Sequence, residues 1–162
     1  MPQQMGFRPS YNEKGASFAP RTVNYISTAA FKKGALVVTG STGEIDECGA
    51  DPATVLGVAA QGVSTTPGFL SGNSPTVITG RTYNIPVHLA KDNIFMCRGV
   101  NGGTDPVTPT QTHVGEEYGV SKVGDHWVMD IAEVTTLVVH VVGIDLDMNA
   151  FLVKFISTVA EA

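Results

Sequence analysis

Residues 114–162 constrain this chain more than any other segment. They hold four short stretches rich in β-branched and aromatic residues, at 118–123, 126–130, 137–142 and 151–156, separated by Gly124-Asp125, by 134–136 and by 143–150. Such side chains suit a pleated, half-buried surface, and the stretches are too short for stable helices, so they predict four strands in a β-meander. In the last stretch Phe151, Val153 and Phe155 share one face, while Leu152 and Ile156 flank a single charge, Lys154, on the other. A strand that is mostly apolar on both faces is either central in a sandwich or covered by another subunit. Phe151, Val153 and Phe155 are therefore candidate oligomer-interface residues.

The chain has 162 residues, enough for one ordinary domain and too few for two large ones. Its 18 glycines and 9 prolines favour turns between strands over long helices. The expected fold is all-β, a small antiparallel β-sandwich or β-barrel with an extended N-terminal arm. Cys48 and Cys97 lie far apart without a CxxC pattern, which reads as two buried thiols and not a disulfide or zinc site. The leading residues lack an apolar signal core, and no run approaches the roughly 18 apolar residues of a membrane helix. A soluble chain made inside the cell is the expectation.

Residues 1–22 form the arm, since Pro2, Gly6, Pro9, Gly15 and Pro20 interrupt any helix or strand. The β-domain is expected over 23–162. Stretches 35–39 and 44–48 read as strands joined by the Gly40 to Gly43 turn, with further strands at 54–60, 76–79, 85–89 and 94–97. Asp51-Pro52 has the form of an N-cap and first helical residue, with room for one turn at most. Residues 61–82 and 99–113 read as long loops, the second of a length that is often functional or ordered by a partner.

The net charge of −5 conceals an asymmetry. Residues 1–33 carry Arg8, Lys14, Arg21, Lys32 and Lys33 against Glu13, a net of +4, which leaves −9 on the rest. A basic segment on an acidic body suits an acidic partner. An acidic body disfavours direct nucleic-acid binding.

Catalytic vocabulary is sparse. His88, His113, His126 and His140 form no HExxH or H-x-H pattern, so spacing defines no metal site. His88 and His140 sit in apolar strands and read as structural, and His113 reads as a loop residue. Asp145, Asp147 and Asn149 imitate the start of an EF-hand loop. However, Ala150 stands where glycine is needed and Ile156 where the bidentate glutamate belongs, so this is a turn. Glu116 and Glu117 face opposite ways in a strand and cannot work as an acid and base pair. No catalytic residue, metal or cofactor is assigned.

The order of motifs resembles a known group. FKKGALVVTGSTGEIDECGADPATVLGVAAQGV, the middle segment YNIPVHLAKDNIFM, and the closing VGEEYGV, DHWVMD, VVHVVGID and FLVKFI resemble the strands of tailed-bacteriophage capsid decoration, or cement, proteins. The resemblance covers roughly residues 31–156 and rests on pattern and order, without an invariant signature. It implies a non-catalytic virion protein on the outer capsid surface that staples neighbouring major capsid subunits. Its partners would be the major capsid protein and itself, as a homotrimer or else a dimer, with no membrane and no direct nucleic acid. Phe7, Tyr11 and Phe18 would then be apolar anchors, and Arg8, Lys14, Arg21, Lys32 and Lys33 would pin the arm to the shell. The alternative is a carbohydrate-binding or fibre-type β-module, which calls for several exposed aromatics, and only Phe69 stands out beyond the strands and arm. A small trimeric β-enzyme would need a phosphate-binding loop and a carboxylate-held metal, neither of which the sequence offers.

Overall fold

The computed structural model describes residues 6–12, 22–27, 31–62 and 83–161. Lys14, Phe18, Arg21, Phe69 and the expected strand at 76–79 lie outside these residues, as does the side chain of Tyr11. Among the described residues the first strands are β1 (Arg8–Asn12), β2 (Thr22–Ser27), β3 (Leu36–Thr39), β4 (Ile45–Glu47), β5 (Gly57–Ala59) and β6 (Tyr83–Leu89). There follow β7 (Asn93–Cys97), β8 (Gly99–Asn101), β9 (Asp105–Val107), β10 (Glu117–Val123), β11 (His126–Asp130), β12 (Val139–Asp145) and β13 (Ala150–Phe155). They form two sheets, one in the order β1-β7-β13-β12-β10-β11-β8-β9 and the other β2-β6-β5-β3-β4. Leu36, Val37, Val58, Ile85 and Val87 of the smaller sheet share one buried core with Phe95, Met129, Val141, Phe151 and Val153 of the larger. The fold is thus an all-β sandwich.

β13 settles the choice posed by its two apolar faces. It is central, paired to β12 on one side and β7 on the other. Phe151, Val153 and Phe155 are buried in the domain's own core, and Phe155 meets Phe95 edge-on at 5.3 Å between ring centroids. Their assignment to an oligomer interface is corrected: the covering surface is the second sheet of the same chain.

The expected meander is also modified. β10 pairs with β11 and with β12, so the spatial order is β13-β12-β10-β11, and β11 gives its other edge to β8 in parallel. Residues 99–107, read as loop, supply β8 and β9. Asp51 has φ +52° and starts no helix. Residues 6–12 are not an arm apart from the body, because β1 adds to β7 at the edge of the larger sheet. The register slips between Pro9 and Tyr11, a bulge that with Pro9 discourages further strand pairing at this edge.

The smaller sheet curls until β2 approaches β4, where Ser27 Oγ donates to the Ile45 carbonyl at 3.0 Å. Residues 159–161 close it from below. Val55 N donates to Val159 O at 2.8 Å, Glu161 N to Val55 O at 3.0 Å, and Thr39 N to Glu161 Oε1 at 3.1 Å. Across the sheets, Trp127 Nε1 donates to Glu47 Oε1 at 2.9 Å and Lys122 Nζ lies 2.7 Å from the same oxygen.

Asp130 is the buried carboxylate of the larger sheet. It accepts from Gly102 N at 2.9 Å, Ser121 Oγ at 2.8 Å and Ala132 N at 3.0 Å. Burial alone would raise its pKa. The amides of Gly102, Ala132 and Gly103 and the Ser121 hydroxyl outweigh that and hold it below the ordinary 3.8. A depressed carboxyl pKa adds stability above the unfolded value, and that stability is lost as pH falls through the folded one. Denaturant midpoints measured from about pH 5 to about pH 2 should therefore fall, with a shallower decline in Asp130→Asn. Equal slopes in the two proteins would contradict this role.

Candidate functional site

A groove of about 560 Å³ lies where β1 passes the turn at 32–34 and the β10–β11 hairpin. Its floor is apolar, made by Phe7, Val58, Ala59 and Trp127, and its rim carries Arg8, Lys33, His88 and His126. Local chemistry explains how these residues meet. Gly34 takes φ +86° and donates its N–H to Ala59 O at 2.8 Å, which fastens the turn to β5 and leaves Lys32 and Lys33 exposed. Gly124-Asp125 is the two-residue loop of the β10–β11 hairpin, with Gly124 at φ +61° and Val123 paired to His126. That hairpin brings Asp125 and His126 to the groove mouth. Alternation along β6 buries Ile85, Val87 and Leu89 and turns the half-buried His88 the other way, toward the groove.

The electrostatics follow from these positions. Lys32 Nζ donates to Asp125 Oδ2, and that hydrogen bond and charge keep the Asp125 carboxyl below its ordinary range. With these two offsetting each other, Arg8 and Lys33 make the groove net positive. Burial lowers the His88 pKa, and the nearby Lys33 charge lowers it further, so the ring is neutral near pH 7. The arrangement suits binding an anionic, partly apolar group.

Of the residues singled out in the sequence, Arg8, Lys32 and Lys33 are exposed and gather at this groove. Phe7 does not project toward a partner. It is 2% exposed, and its ring lies 5.6 Å from that of Phe155, so it belongs to the core and gives the groove only its floor. His88, His126 and Trp127 were not read as site residues. The period-2 pattern of β6 was a usable signal for His88 facing away from the core, but no local signal joins residues so far apart.

Other polar groups have structural duties. Asp145 Oδ1 accepts from Met148 N at 3.0 Å and closes the β12–β13 turn, as its reading as a turn residue requires. His113 Nδ1 accepts from Thr110 N at 3.0 Å in a 3-10 turn, and the ring packs edge-on against Phe151 at 5.3 Å. His140 Nδ1 lies 3.7 Å from Glu117 Oε1. Among the described residues no three His, Cys, Asp or Glu side chains come together as a metal site. No helix there is long and apolar enough to cross a membrane.

Cys48 and Cys97 are buried, and burial pushes both thiols up to about 12, aided at Cys48 by Glu161, Glu47 and Asp46. Both are protonated and shielded at neutral pH. A thiol-reactive dye should label neither in the native protein and both in denaturant. Fast native labelling would contradict this burial.

No family model matches the chain, and neither does any curated protein or solved structure.

Proposed function

We propose that this chain is a structural virion protein that binds the outer surface of a phage capsid and cements neighbouring major capsid subunits. The observation that carries the reading is the gathering of Arg8, Lys32 and Lys33, from two separate chain segments, around one groove on a chain whose net charge is −5. Complementary charge steers association and fixes register on an acidic surface, which is what a protein seated on a shell needs. The sandwich beneath is a rigid platform, tied across its sheets by the Trp127–Glu47 bond. Self-association, as a trimer or a dimer, belongs to the same reading. Ile26, Val134, Leu146 and Met148 are exposed apolar side chains for such a contact to bury.

Co-sedimentation with purified phage particles, assembled with and without the protein, tests the proposal. The protein should travel with the particles, release at high salt, and leave them fragile to heat or low salt when stripped. Failure to sediment with particles at low salt would sink the reading.

A further inference from the structure

We propose that the groove between β1 and the 32–34 turn receives an extended acidic peptide segment of the partner. Carboxylates of that segment meet Arg8 and Lys33, and an apolar side chain rests on the floor. This rests on the docking reading above and specifies its chemistry.

Three observations favour a peptide over other anions. The first is charge: Arg8 of β1 and Lys33 of the 32–34 turn both line the groove, while Asp125, the one carboxylate among the described residues that line it, is already engaged by Lys32. Cations supplied by two separate chain segments suit carboxylates spaced along a chain better than one compact phosphate, which is bound best by donors converging on a single point. The second is the floor. Phe7, Val58, Ala59 and Trp127 close the bottom of the groove with core side chains that are each 2% exposed or less, and the Trp127 indole N–H is already given to Glu47. A phosphodiester backbone gains nothing from such a floor, whereas a leucine or phenylalanine between acidic residues does. The third is size. About 560 Å³ accommodates a few residues of an extended chain and not a folded element.

The test titrates the full chain into a fluorescently labelled hexapeptide, Glu-Asp-Leu-Glu-Phe-Asp with blocked ends, and follows anisotropy at low and high salt. A Gln-Asn version of the peptide, inorganic phosphate and a short single-stranded DNA serve as competitors. The acidic peptide should bind and weaken with salt. Arg8→Glu with Lys33→Glu should weaken it at least about tenfold, and Lys33→Gln alone by less. Lys91→Glu, in the β6–β7 turn away from the groove, should leave it unchanged. Unaltered circular dichroism and melting would show that the variants fold, as expected for exposed side chains.

Equal binding of the uncharged peptide overturns the inference, as does equal loss in Lys91→Glu or tighter binding of phosphate or DNA. The docking reading fails separately. A protein that sediments with particles but ignores the peptide overturns the groove assignment alone. One that takes the peptide through Arg8 and Lys33 but never sediments with particles overturns the capsid reading alone.

Discussion

Replacing Phe155 with alanine is expected to lower the unfolding free energy by about 4 kcal/mol, and by the same amount at every protein concentration. The ring is 4% exposed, stands edge-on to Phe95, and lies beside Phe7, which carries β1 against the core. Truncation would remove both aromatic contacts and leave a cavity that strands on either side of β13 cannot close without moving. Urea unfolding over a wide range of protein concentrations separates this from an interface role. A side chain buried between subunits would instead give a mutational loss that changes with concentration. It would also cost the isolated protomer little. A mutational loss that varies with dilution, with protomer stability unchanged, would reject the core assignment.

Gly57→Ala should be comparably damaging despite adding a single methyl group. A Cβ built at Gly57 falls 2.2 Å from the His88 carbonyl oxygen and 2.7 Å from Val87 Cγ1. The first obstacle is backbone held in the β5–β6 ladder, where Gly57 faces Leu89 and Val58 faces His88, so no rotamer change relieves it. The two strands must separate. A loss of about 4 kcal/mol, in the range reserved for disrupted cores, is expected. Soluble yield and thermal denaturation would report it. Because the groove includes Val58 and His88, the variant should lose peptide binding as well as stability. A melting temperature close to that of the parent would show that β5 and β6 tolerate more separation than this packing allows.

Strands with their own side-chain pattern were legible in the sequence. Residues 126–130 were read to their observed limits, and 118–123 and 151–156 to within a residue at each end, because alternation and β-branched residues encode a strand locally. The Gly40–Gly43 turn joined β3 to β4 as its glycines suggested. Strands that exist through their neighbours were not legible. β8 and β9 contain Gly99, Asn101, Asp105 and Pro106, poor strand formers, and they are held by β11 and by each other. β1 carries Pro9 and a bulge, and it resembled an irregular arm until β7 was there to receive it. The groove shows the same division. Arg8, Lys32 and Lys33 stood out as a basic cluster in the leading segment, whereas His88 and His126 join them only through the pairing of strands distant in sequence.

The ties between residues 159–161 and the smaller sheet bear on when this protein can fold. Thr39 and Glu161 are 122 residues apart, and the Trp127 to Glu47 bond closes a span of 80. Non-local contacts of this kind slow folding, since the loops between them lose their freedom before the contacts form. On the ribosome, β3 to β6 emerge early but keep the Val55 amide and carbonyl unsatisfied until residues 159–161 are made. The smaller sheet is assembled first in chain order and completed last in time.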